Sequence, residues 1–320
     1  MEHLGFGVLC LIGLILLAIG GGLLTLSASR LATVLGVRQI IIGLTVVSFG
    51  TSMPEAFVSA FASFDRQPDI AVANVVGSNI FNLLFILGTA AVIRPLKVEV
   101  NSLRREVPFV IGATLLVWAL AFDRILSRMD GIIFLFIFAL FLWWCFRNAP
   151  SNQDDAVKKP EQPVGKGVQI LKIVGSLIVL VLGARILLSG ATGLARLMGF
   201  SEIVIGLTIV AAGTSFPELA TSVMASVRGK DDIAVGNVTG SNIFNILFIL
   251  GISALIYPLT ISDSLFLRDI PIMIGASLVA LPILKSGFVI SRIEGVILIV
   301  LYLSYITFLV QGFPYGINVF

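Results

Sequence analysis

Sliding the sequence along itself by 163 residues lays Gly43 to Gly88 over Gly206 to Gly251 without a gap, and 29 of the 46 facing pairs are identical. A match of that strength is a duplicated unit, and it limits the fold before any single residue is interpreted. Weaker agreement continues upstream, where Gly20 faces Gly183, Leu31-Ala32 faces Leu194-Ala195 and Gly36 faces Gly199. The composition says what kind of unit was duplicated. Of 320 residues, 58% are hydrophobic and 12% charged, and the mean hydropathy is +1.07. Soluble domains carry about 25% charged residues. A polytopic membrane protein is the class that fits.

Apolar stretches of about 20 residues, the length that crosses a hydrocarbon core of roughly 30 Å, recur ten times with some shorter: Leu4 to Ser27, Val37 to Ser63, Ile70 to Ile93, Val107 to Phe122, Gly131 to Phe146, Val168 to Gly190, Phe200 to Val227, Ile233 to Tyr257, Ile270 to Leu284 and Ile293 to Gln311. Five spans fall in each copy of the repeat. Because five is odd, the second copy must thread the membrane in the opposite direction to the first, the inverted-repeat plan of many secondary transporters. The expected fold is therefore all-α, with ten transmembrane helices in two inverted five-helix repeats, residues 1–147 and 168–320. Between them, residues 148–167 are rich in Pro, Gln, Asp and Lys without apolar periodicity, which predicts a flexible cytoplasmic linker. A segment of about 20 residues is too short for a domain of its own.

Charge sets the expected orientation. With the N-terminus outside, fourteen Lys and Arg fall in cytoplasmic loops and five in outer loops, as the positive-inside rule requires. Both termini are then expected on the outer face of a cytoplasmic membrane. The first span follows Glu2 and is too long for a signal-peptide core, so it is expected to be retained. The scattered bases do not form a nucleic-acid surface. His3 is the only histidine, which argues against histidine-based metal or nucleophile chemistry. Cys10 and Cys145 fall within spans and are expected to be small buried apolar residues.

Of the eighteen acids, Glu55 and Glu218 are the two placed deep in spans. A charge at the centre of a membrane helix costs roughly 2.5 to 3.5 kcal/mol on insertion scales, so such a residue marks a functional site. Each lies in the same motif, Gly50-Thr51-Ser52-Met53-Pro54-Glu55 and Gly213-Thr214-Ser215-Phe216-Pro217-Glu218. The proline has no N–H, so the helix opens and carbonyls near Thr51 and Thr214 become free for a cation. Ser48, Ser52, Glu55 and Ser59 form one helical stripe; Ser215, Glu218 and Ser222 repeat it, with Ala211 in place of the first serine.

The next span of each copy adds Asn74, Ser78 and Asn82, and Asn237, Ser241 and Asn245, at intervals of four. Among them, Ser78, Asn82, Ser241 and Asn245 are expected to be ligands, whereas Asn74, Asn79, Asn237 and Asn242 are expected to be structural. Hard cations take such oxygen donors. Two carboxylates at about 5 Å and an effective dielectric near 20 repel by roughly 3 kcal/mol, so the pair requires cations or a proton.

With these paired Gly-Thr-Ser-x-Pro-Glu and Gly-Ser-Asn-Ile-Phe-Asn motifs, the chain resembles the sodium/calcium exchanger family of cation/calcium antiporters, its compact prokaryotic branch in particular. The resemblance implies that spans one and six slide across a central ion-binding core. It implies Ca²⁺ between Glu55 and Glu218 with backbone oxygens of Thr51 and Thr214. One flanking Na⁺ would use the Ser48 carbonyl, Ser52, Glu55 and Ser78; another the Ala211 carbonyl, Ser215, Glu218 and Ser241. Asn82 and Asn245 would face the middle. An asparagine at 245, where K⁺-dependent relatives carry aspartate, implies transport without K⁺.

The expected activity is electrogenic Na⁺/Ca²⁺ antiport by alternating access, with Ca²⁺/H⁺ antiport as the rival. Ca²⁺ and Na⁺ are substrates, no cofactor is expected, no enzymatic activity is expected, and a monomer in the bilayer suffices.

Overall fold

The computed structural model describes residues 2–98, 100–147, 165–199, 211–285 and 288–311. Most of the expected linker and residues 200–210, which open the seventh expected span, lie outside the described residues. The helices, in chain order, are α1 (Glu2–Leu35), α2 (Gln39–Thr51), α3 (Met53–Phe64), α4 (Pro68–Ile93), α5 (Val100–Leu120), α6 (Arg128–Arg147), α7 (Lys166–Leu197), α8 (Phe216–Val227), α9 (Asp231–Ile256), α10 (Ile270–Lys285) and α11 (Arg292–Gln311). Among the described residues, seven helices are long and apolar enough to cross a membrane, and the bent pair α2/α3 makes an eighth. Of the two expected spans left over, α10 is 16 residues preceded by a π turn, Leu265–Asp269, and α8 is 12 residues, the opening of its expected span lying outside the described residues.

Helices α1 and α7 overrun the stretches expected from hydropathy, with 34 and 32 residues. At 1.5 Å per residue the shorter is about 48 Å long, well beyond the hydrocarbon core. Hydropathy marks where lipid contact stops, whereas the backbone stays helical until a residue reverses it. That residue is Gly36 at φ 68° and Gly199 at φ 83°, facing positions of the repeat and left-handed caps of the kind glycine serves.

The two long helices pack antiparallel. Gly13 meets Leu187, Gly20 meets Leu180, Gly183 meets Leu17 and Gly190 meets Cys10, one helix ascending as the other descends. A Cβ on Gly183 would stand 2.9 Å from that of Leu16, so the seam depends on the missing side chain. The centre of the molecule is α4 and α9, with 72% and 78% of their apolar windows buried, against 11% for α11 at the periphery. Each central helix crosses the last span of the other copy glycine on glycine, Gly88 against Gly295 and Gly251 against Gly131.

Two short antiparallel ribbons tie the loops. β1 (Leu96–Lys97) pairs with β4 (Val289–Ile290), and β2 (Ile125–Leu126) with β3 (Leu259–Thr260). Each ribbon joins loops that the alternating-span map assigns to one face. The same holds for Asp231, whose Oδ2 accepts the Lys97 N–H at 3.1 Å, and for Asp69, whose Oδ1 accepts the Ser262 N–H at 3.1 Å.

Candidate ion site

Helices α3 and α8 begin at the proline motifs, and their N-termini face each other inside the bundle. The chain bends by 48° between α2 and α3, at Ser52 (φ −83°, ψ 8°), and Ser215 has nearly the same backbone (φ −88°, ψ 9°). Pro54 and Pro217 sit in the first turn, where a missing N–H breaks no helical bond. Glu55 and Glu218 also lie in the first turn, where the helix dipole favours a carboxylate.

Both glutamates are buried, 0% and 1% exposed. The Ser52 hydroxyl donates to Glu218 Oε1 at 2.8 Å, and the Ser215 hydroxyl to Glu55 Oε1 at 2.7 Å. The arrangement is crossed: each serine braces the glutamate of the other copy, whereas the sequence grouped Ser52 with Glu55 and Ser215 with Glu218. Local chemistry favours that grouping, because Ser-x-x-Glu ahead of a helix is a capping box. Neither serine caps its own helix, and the hydroxyls go instead to the carboxylate that burial would otherwise leave unsatisfied.

The remaining expected residues surround this pair. Ser78 Oγ stands 3.2 Å from Ser215 Oγ, which places it beside Glu55. The Ser48 carbonyl is already engaged, accepting the Thr51 hydroxyl at 3.3 Å and the Ser52 N–H at 3.0 Å. Ser48 Oγ turns back to the Leu44 carbonyl at 2.6 Å. Thr51 Oγ1 also donates to Asn237 Oδ1 at 3.1 Å. Ala211 opens the short turn Ala211–Gly213 at the edge of the described residues.

The asparagines divide into two kinds. Asn74 holds the broken helix, its Nδ2 donating to the Glu55 carbonyl at 3.2 Å and to Ser59 Oγ at 2.9 Å. Asn237 repeats this on the Glu218 carbonyl at 3.3 Å and Ser222 Oγ at 2.9 Å. Asn82 and Asn245 lie in π turns, Phe81–Ile86 and Phe244–Ile249, a distortion that recurs at functional sites. Asn82 Nδ2 donates to Asn242 Oδ1 at 3.1 Å, and Asn245 Nδ2 to Asn79 Oδ1 at 3.0 Å. Asn79 is set in turn by Met273, whose sulfur lies 3.6 Å from its amide nitrogen.

What these bonds leave over is informative. Glu55 Oε2, Glu218 Oε2, Asn82 Oδ1, Asn245 Oδ1, Ser241 Oγ and Thr214 Oγ1 are buried with no hydrogen-bond partner. Buried polar atoms are nearly always paired, so these six unpaired oxygens, all supplied by the two motif pairs, are the candidate cation donors. Among the described residues no three carboxylates, thiols or imidazoles converge; the donors here are two carboxylates plus neutral oxygens, the set a hard cation takes. Three further acids, Glu106, Asp231 and Asp269, are also buried. The sequence placed them at span ends, where Asp231 has Arg94 at 3.9 Å and Asp269 has Arg268 at 2.9 Å.

Asn79, Asn242 and Met273 thus set the amide orientation of Asn82 and Asn245: their Nδ2 atoms are engaged and their Oδ1 atoms are left unpaired. The repeated motif exposes the two asparagines to inspection, but nothing in sequence flags Met273. Asn79→Ala or Asn242→Ala is expected to lower Ca²⁺ affinity about tenfold or more, as loss of a ligand-orienting partner does, without lowering thermal stability by a comparable measure. Isothermal titration in detergent checks the first and a melting curve the second.

Known proteins resemble this chain along most of its length. The family model described as sodium/calcium exchanger protein matches residues 6–147 and 168–311. The inner membrane protein YrbG of Escherichia coli is 39% identical over 279 residues, covering 85% of this chain and 86% of that one. The sodium/calcium exchanger MaX1 of Methanosarcina acetivorans is 34% identical, covering 94% and 97%. A solved structure of the sodium-calcium exchanger NCX_Mj superposes with a TM-score of 0.82 at 30% identity, covering 96% of this chain and 99% of that one. This chain belongs to the sodium/calcium exchanger family.

Proposed function

We propose that the protein is a secondary active antiporter that exchanges Na⁺ for Ca²⁺ by alternating access, electrogenically and without K⁺. One observation carries this reading. Two buried carboxylates, one from each copy of the repeat, keep an oxygen open toward neutral oxygen donors and have no ion-pair partner among the described residues. Such a pair is neutralised by one Ca²⁺ or two Na⁺, and exchange becomes electrogenic when more than two Na⁺ move for each Ca²⁺. Competition of the two for the same oxygens couples their movements when the protein reorients only with the site filled. The names of MaX1 and NCX_Mj support the same ions.

In this reading Ca²⁺ sits between Glu55 Oε2 and Glu218 Oε2 with the carbonyls of Thr51 and Thr214, and the Asn82 and Asn245 amide oxygens face it. Sodium ions flank it, at Ser52 and Ser78 beside the Ser48 carbonyl, and at Ser215 and Ser241 beside the Ala211 carbonyl. Residues 1–147 and 168–320 are the two inverted halves, both termini lie on the outer face, and one copy of the chain is the working unit. A Ca²⁺/H⁺ antiporter is the second reading, because protons also neutralise glutamates. Proteoliposomes loaded with ⁴⁵Ca²⁺ and given a sodium gradient or a pH gradient in turn separate the two: flux driven by sodium alone is expected, and flux driven by the pH gradient alone overturns the sodium assignment.

A further inference from the structure

We infer that Arg185 on α7 and Asp65 at the end of α3 form an ion pair in the opposite half of the transport cycle, latching shut the end of the molecule that is uncovered here. The inference rests on the alternating-access reading above, and it comes from comparing the contacts of one copy with the vacant counterparts in the other.

Helix α1 lies directly on α8. A Cβ on Gly21 would stand 2.7 Å from the Ala220 carbonyl oxygen, and one on Gly22 would stand 2.6 Å from Nη2 of Arg228. The absent side chains let α1 rest on backbone and on the guanidinium, and Ala220 and Met224 are half-buried beneath it. The 163-residue offset maps Ala220, Met224 and Arg228 onto Phe57, Phe61 and Asp65. On α3 that same face is open: Phe57 is 61% and Phe61 64% exposed, and Asp65 is exposed. One end is covered by its long helix and its counterpart is bare.

The same offset maps Gly21 and Gly22 of α1 onto Ala184 and Arg185 of α7. When the copies exchange roles, α7 lies on α3 as α1 now lies on α8, with Ala184 over Phe57 and Arg185 beside Asp65. The present contact of a glycine with an arginine becomes a contact of an arginine with an aspartate, two opposite charges in place of one. The methyl of Ala184 forbids the backbone approach that Gly21 allows, so closure at this end leaves a wider gap. A guanidinium on a long stem spans such a gap and meets a carboxylate on two oxygens. In this structure neither Arg185 nor Asp65 has an ion-pair partner among the described residues, and Arg185 is exposed within the otherwise apolar run 177–188 of α7. A charge in that position is costly enough to mark a role.

Charge exchange tests the pair. Arg185→Asp and Asp65→Arg are each expected to slow exchange about three- to tenfold, because reversal replaces the attraction of a partly exposed pair with a repulsion of similar size, while equilibrium Ca²⁺ binding in detergent stays within twofold. The double exchange, Arg185→Asp with Asp65→Arg, is expected to restore the rate to within about twofold. An Arg185 that merely snorkels to headgroups makes the double variant no faster than the slower single, and that result overturns the pair.

A second readout needs no knowledge of the transported ion. With Cys10 and Cys145 replaced by alanine, Arg185→Cys with Asp65→Cys is expected to cross-link through a short bifunctional thiol reagent during turnover, read as a gel shift. No cross-link under any cation condition overturns the proposal. Cross-linking in a protein whose unmodified form shows no sodium-driven flux leaves the latch standing and removes only the sodium assignment.

Discussion

Glu55→Gln or Glu218→Gln abolishes sodium-driven ⁴⁵Ca²⁺ uptake into proteoliposomes. Glutamine keeps the size of the side chain and can still accept the crossed serine hydroxyl, so the fold around α3 and α8 survives. The negative charge is lost. A buried charge pair deprived of one member typically loses 2 to 5 kcal/mol, which lowers Ca²⁺ affinity by at least about thirtyfold and upward of a thousandfold. With one carboxylate left, a divalent ion also keeps an uncompensated positive charge inside the bundle, a second obstacle to reorientation. In cation-free buffer the same variants melt no lower than the parent, since burial of two facing carboxylates is relieved. Near-normal uptake by both variants would refute the site.

Gly240→Ala destabilises the protein, and Gly175→Ala, the same change on an exposed part of α7, does not. A Cβ on Gly240 would lie 2.6 Å from the Leu44 carbonyl oxygen and 2.7 Å from both Leu44 Cα and Ser48 Oγ. Two of those three atoms are backbone, so α9 and α2 must separate. Overpacking of this kind costs typically 1 to 3 kcal/mol or more, and it displaces Ser241, the next residue, from the ion site. Gly175 is exposed and nothing lies within 4 Å of the added methyl; there alanine gains about 0.5 to 1 kcal/mol of helix propensity. Thermal melts of the two variants should therefore move in opposite directions, and Ca²⁺ binding should fall only for Gly240→Ala.

Much of this architecture is legible in sequence because it depends on side chains that have no bland alternative. A glutamate beside proline inside an apolar span, present twice at one offset, has few uses, and the structure brings Glu55 and Glu218 together with Ser52, Ser215 and Ser78. What stays hidden depends on backbone detail or on distance along the chain. The π turns around Asn82 and Asn245 re-aim side chains without changing residue type. The crossing of Ser52 to Glu218 opposes a local capping motif, and only the meeting of two helix N-termini decides it. The lengths of α1 and α7 are set by Gly36 and Gly199, residues that hydropathy weighs lightly. Met273 is 194 residues from the asparagine it orients, and no pattern in the chain joins them.

The glycine seam between α1 and α7 also bears on leakage. Two long rods whose backbones interlock along most of their length travel together, so a displacement that lifts one from its end of the core lowers the other onto the opposite end. In an alternating-access cycle the molecule then has a single slider instead of two independently hinged doors, and an open pore would need the rods themselves to come apart.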